Sequence, residues 1–85
     1  MGKYLALDYG AESGRLVSVE FGKKISTVEI SRFATPVTKD KYGRRCWDFP
    51  QMLSDIKNAL KAVPNKSDFK SIAVDTWGLD FAFID

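Results

Sequence analysis

Eighty-five residues make at most one small domain, and a chain of that size buries a modest share of its surface, which excludes a large internal active site. Hydrophobic residues at 45% and charged residues at 28% are the proportions of an ordinary folding chain and argue against disorder. Thirteen Lys and Arg against eleven Asp and Glu leave a net charge of +2, with a basic cluster only over 39–45, a balance that does not imply nucleic-acid binding.

In chain order, residues 4–7 form a short apolar run that suits a buried strand, ending at a turn over 8–14. Val17, Val19 and Phe21 then alternate with Ser18 and Glu20, the period of a half-buried strand, and Gly22-Lys23-Lys24 supplies the next turn. A third strand over 25–33 completes an antiparallel meander, and 34–45 reads as a polar connection containing Pro36 and Gly43. The period then changes: Leu53, Ile56, Leu60 and Val63 are spaced for one face of a helix packed on the sheet.

Asp48 is placed to cap that helix, with Gln51 as the answering half of a capping box, Pro50 in the first turn and Trp47 with Met52 at the staple positions. Pro64-Asn65 ends it, because proline cannot continue the hydrogen-bond ladder. Strands are expected over 69–74 and over 79–84, the second after Gly78. A sheet that stops on an apolar strand has an uncovered edge and face, as a piece of a longer protein would. The fold class expected is α/β.

With one cysteine, Cys46, and no histidine, an internal disulfide, Cys/His zinc spacing and His-based triads are excluded within these residues, and Cys46 reads as a structural thiol. Met1-Gly2-Lys3 leads straight into a short strand, without the apolar core and cleavage site of a secretory signal. No stretch nears the roughly 18 apolar residues of a membrane span, so a cytoplasmic location without membrane partners is expected.

Two apolar strands stop at an aspartate: Leu5-Ala6-Leu7-Asp8-Tyr9-Gly10 and Ile72-Ala73-Val74-Asp75-Thr76-Trp77-Gly78-Leu79-Asp80. Carboxylates at strand ends, one beside a Gly and Ser turn, suit a phosphate-handling site with a divalent metal. Gly10-Ala11-Glu12-Ser13-Gly14-Arg15 is no Walker motif, since three residues separate its glycines and Arg15 stands where a P-loop has Lys. No helix follows it, which excludes a Rossmann site. The remaining hairpin turn can converge backbone amides on an anion, with Ser13 and Arg15 as further donors, and Asp8 beside it would suit a metal-bound water. The same residues also serve a plain turn.

Around Gly78, two acids, a hydroxyl and the Trp77 indole offer what sugars bind: acceptors for hydroxyl groups and an aromatic face for C–H surface. Trp77 reads equally as a core residue.

Asp8-Tyr9-Gly10-Ala11-Glu12-Ser13-Gly14-Arg15, Arg32-Phe33, Trp47-Asp48 and Ser71-Ile72-Ala73-Val74-Asp75-Thr76-Trp77-Gly78-Leu79-Asp80-Phe81 together resemble the N-terminus of the FGGY carbohydrate kinases, over nearly all of the chain. The resemblance implies a partial ribonuclease H-like ATPase domain, with 1–85 as the N-terminal part of its first domain. It implies ATP and Mg2+ as cofactors and a ketose such as L-rhamnulose as substrate. ATP would be held by Ala11, Glu12, Ser13, Gly14 and Arg15, the sugar by Gly78, Leu79 and Asp80, and the metal by Asp8. Glu12 departs from the small hydroxylated residue common in the family, which leaves phosphate contact there to backbone amides. The family's catalytic base and adenine pocket lie beyond position 85, so these residues alone are expected to be inactive. Fuculokinase and xylulokinase types, or a non-catalytic sugar-binding or nucleotide-binding module, are the alternatives.

Overall fold

The computed structural model describes residues 2–78. The expected strand over 79–84 lies outside them. Three strands form the meander: β1 (Lys3–Tyr9), β2 (Ser13–Phe21) and β3 (Ile25–Ala34), each antiparallel to the next. After the helix α1 (Phe49–Lys61), the strand β6 (Phe69–Thr76) returns beside β1 and parallel to it. The sheet order is β3-β2-β1-β6, and α1 lies in the crossover that parallel pairing requires.

Alternation in β1 decides which face carries the core. Leu5, Leu7 and Tyr9 are buried and pack with Leu16 of β2, with Ala59 of the helix and with Val63 just beyond its end. Met52, Ile56, Leu60, Phe33, Phe69 and Trp77 close around them. Tyr4, Ala6 and Asp8 take the opposite pleat and are only half-buried.

The helix presents a slightly different stripe from the one its leucines suggest. Leu53 is 43% exposed, whereas Ala59 and Val63 are buried and Met52 and Ile56 pack against the core. At 3.6 residues per turn, Met52, Ile56 and Ala59 share one side, with Val63 following just past the helix end, and Leu53 stands about 90° round from its centre. A small side chain at Ala59 lets the helix approach the sheet, a role that hydrophobic spacing does not reveal.

Both helix ends are satisfied, the first in part differently from expectation. Asp48 accepts a hydrogen bond from the Gln51 amide at 3.1 Å, as an N-cap should. The Gln51 side chain does not complete the box: it donates to Asp55 at 2.9 Å, and the Asp48 amide donates instead to the Pro36 carbonyl at 3.0 Å. At the other end Lys66 Nζ donates to the carbonyls of Lys61 and Val63 at 3.2 and 3.1 Å, which suits the negative end of the helix dipole.

The connection read as polar loop contains a hairpin of β4 (Val37–Lys39) and β5 (Arg45–Trp47). Strands of three residues carry too little alternation to be seen in sequence. Asp40 builds the turn: its carboxylate accepts from the amides of Tyr42 at 2.8 Å and Arg44 at 3.0 Å and from Arg44 Nε at 2.6 Å. Gly43 takes the positive φ of 79° that closes it.

Candidate functional site

Parallel pairing brings the two strand-end aspartates together. Asp8 and Asp75 are direct partners across β1 and β6, and Tyr9 is matched with Thr76 one step further on. Across β1 and β2, Asp8 is opposite Arg15, and Arg15 is opposite Arg32 of β3. Cross-strand partners share a face. Asp75, Asp8, Arg15 and Arg32 therefore make one charged row over four strands, on the pleat opposite the Leu5, Leu7 and Tyr9 core.

Within the row, Arg15 forms an ion pair and hydrogen bond with Asp8. Arg32 pairs with Glu29 at 2.7 Å and donates to the Ser13 hydroxyl at 3.4 Å. The Arg15 guanidinium, helped by a hydrogen bond with Asp75, holds the Asp8 carboxyl below the usual carboxylate range. Asp75 moves the other way, because it shares a hydrogen bond with Asp8, loses solvent and faces a neighbouring negative charge. Asp8 in turn raises the Arg15 guanidinium. Arg15 thus fixes which carboxylate carries charge: Asp8 ionises first, and Asp75 retains its proton to higher pH.

The turn after Asp8 is braced from β3. Gly10 donates its amide to the Ser13 carbonyl at 2.9 Å, while Thr35 donates its hydroxyl to the Gly10 carbonyl at 2.6 Å and its amide to the Glu12 carbonyl at 3.0 Å. Thr35 is buried. No sequence signal marked it, since it lies 25 residues from Gly10 and follows a strand as any linker residue would. Ala11 and Glu12 are exposed at the tip, and Ser13, Gly14 and Arg15 belong to β2.

Gly14 has a packing reason as well. A Cβ there would meet Phe33 Cε2 at 2.5 Å, so only glycine lets the Phe33 ring cross β2 to reach Tyr9, with ring centroids 5.4 Å apart. The aromatic line continues from Tyr9 to Trp77 at 6.1 Å and from Trp77 to Trp47 at 4.7 Å. Trp77 is thus a partly buried packing residue at the end of β6, beside the sugar-site candidate Gly78. Among the described residues, a Cβ added at Gly78 would meet nothing within 4 Å. Leu79 and Asp80, the other two sugar candidates, lie outside the described residues.

The Tyr9 hydroxyl is buried without a hydrogen-bond partner among the described residues. Burial, with Asp55 nearby, pushes its pKa up. It faces the helix side of the sheet and stands apart from the Asp8 row.

For a metal, the row supplies two adjacent carboxylates, and no group of three or more His, Cys, Asp or Glu side chains suited to a metal occurs among the described residues. Such a set fits Mg2+, which keeps several waters and is held by one or two carboxylates together with substrate phosphates, better than it fits an all-protein cage.

No protein-family model matches the chain. It is 42% identical over 82 residues to a rhamnulokinase of Halalkalibacterium halodurans, an alignment covering 95% of this chain and 17% of the relative. It is 36% identical over 84 residues to a rhamnulokinase of Mannheimia succiniciproducens, covering 94% and 17%. The chain is a homologue of kinases, alike over nearly its whole length. The particular kinases it resembles are rhamnulokinases, and it spans 17% of the length of these curated relatives.

Proposed function

We propose that this chain is the N-terminal part of the first, ribonuclease H-like domain of an ATP-dependent sugar kinase, and that the parent protein transfers the γ-phosphate of ATP to the 1-hydroxyl of L-rhamnulose. One observation carries the reading: in a chain related to rhamnulokinases, the parallel pair β1 and β6 delivers the Asp8 turn and the Asp75–Gly78 segment to the same edge of the sheet. Ligands of open α/β sheets bind at the carboxyl ends of parallel strands.

In this reading the backbone of Ala11 and Glu12, with Ser13, Gly14 and Arg15, receives the phosphates of ATP. Thr35 keeps that turn in place through the carbonyls of Gly10 and Glu12. Asp8 would hold a water of an Mg2+ ion, and the Arg15 guanidinium paired with Asp8 would keep it ionised for that task. The Mg2+ ion supplies charge neutralisation on the phosphates when ATP is bound. Gly78, with Leu79 and Asp80, would hold the sugar, and positioning supplies much of the rate in phosphoryl transfer. The base that takes the hydroxyl proton lies in the parent beyond residue 85, so the 85 residues alone have no kinase activity.

An ATP-coupled assay of the full-length parent on L-rhamnulose, L-fuculose, xylulose, ribulose and glycerol tests this. Preference for L-rhamnulose is expected. Equal turnover on all five, or none on L-rhamnulose, contradicts it.

A further inference from the structure

The contact between Trp47 and Trp77 joins the β4–β5 hairpin to the end of β6. Their ring centroids are 4.7 Å apart at an interplanar angle of 46°, so the last residue of β5 packs on the residue just before Gly78. Beside this contact the hairpin carries an open groove of about 500 Å3, lined by Val37, Arg45, Cys46 and Trp47. Small-molecule sites have volumes of roughly 300–1,000 Å3. Val37 and Trp47 are direct cross-strand partners, and Arg45 lies two residues from Trp47, so the three share one face of the hairpin. Val37 is 45% exposed and Trp47 37% exposed.

Among the described residues the lining therefore pairs an apolar wall, an isopropyl group beside an indole face and the Cys46 thiol, with a guanidinium that can donate to oxygen. That combination suits a small polyol with an apolar end. An unmodified ketose has hydroxyl groups at both ends and would lose a hydrogen bond to water against this wall. A 6-deoxyketose has a methyl group in place of one of them. We propose that the groove is the wall of the sugar site that receives the methyl end of a 6-deoxyketose, with Trp47 and Val37 covering the methyl and Arg45 donating to the adjoining hydroxyl oxygens. This rests on the sugar-kinase reading above and adds to it the residues that select the substrate.

The test is calorimetric titration of the full-length protein with L-rhamnulose and with L-fructose, the same sugar bearing a hydroxyl on its sixth carbon. Apolar pockets discriminate by one such group to the extent of about 10- to 200-fold. Wild-type protein is expected to bind L-rhamnulose at least about tenfold more tightly than L-fructose, within that range. Trp47→Ala and Val37→Ser are each expected to bring the ratio towards one while leaving the affinity for ATP unchanged. A residue that merely supports the fold would weaken both sugars together and leave their ratio as it was. Should Trp47→Ala fail to fold, Val37→Ser decides the matter, because Val37 lies on a short, exposed strand. Binding of L-rhamnulose by wild type with an unchanged ratio in the folded variants overturns the groove and leaves the kinase reading standing. Absence of both ketose binding and ketose phosphorylation in wild type overturns the two together.

Discussion

At Gly14 the backbone of β2 passes under the Phe33 ring, and that approach, as much as any ligand, requires glycine. Gly14→Ala puts a Cβ 2.5 Å from the half-buried Phe33 ring, which must shift away from Tyr9, and overpacking of this kind costs about 1–3 kcal/mol. A lowered denaturation midpoint in urea is expected, with partial recovery when Phe33→Leu is added; an unshifted midpoint would show that the ring moves freely. The folded pKa of Asp75 is raised, so its contribution to stability is complete below the ordinary carboxylate range and is lost as pH rises through the raised value. Asp75→Asn should therefore gain in stability relative to wild type as pH goes from acid to neutral. Parallel pH profiles for the two proteins would contradict the raised pKa of Asp75. The acids were visible in the sequence as strand ends, but their adjacency was not, because the register of β1 with β6 is set by contacts more than 60 residues apart.

Among the elements, the meander and helix could be read because long alternation and a complete start signal each leave a periodic trace. The β4–β5 hairpin could not, since its strands are three residues long and its turn depends on one carboxylate. Amides of Arg44 and Tyr42 and the Arg44 side chain lower the pKa of Asp40, so its contribution is present above the ordinary carboxylate value and is lost as pH falls through the lower folded value. Chemical shifts of Tyr42 and Gly43 should accordingly report hairpin opening below about pH 3.8, the unperturbed value, and Asp40→Ala should open it at neutral pH. The helix gives an independent case. Asp48→Ala removes the acceptor for the Gln51 amide and should lower stability by about 0.5–2 kcal/mol. Because Gln51 pairs with Asp55 and not with the cap, Gln51→Ala should have a smaller effect on the same denaturation curve.

For the molecule as a whole, the consequence of parallel β1 and β6 is that two motifs 67 residues apart in sequence, at Asp8 and Asp75, form one edge. Sequence alone suggested two half-sites, one for phosphate and one for sugar. The sheet puts Asp8 and Asp75 side by side in one row in which Arg15 and Asp75 set the charge of Asp8, while on the core side of the same end Trp77 packs between Tyr9 and Trp47. On β6, Ile72 and Val74 are 45% and 64% exposed, apolar surface on the strand at the limit of the described sheet. Asp8→Ala in the full-length protein tests the central claim most directly, because Asp8 stands at the centre of the row, paired with Asp75 on one side and Arg15 on the other. With L-rhamnulose and Mg-ATP, turnover should fall by about 100-fold or more, the scale of losing a preorganised charge at a phosphoryl-transfer site, while circular dichroism remains that of the wild type. Unchanged turnover in a folded Asp8→Ala protein would contradict the account.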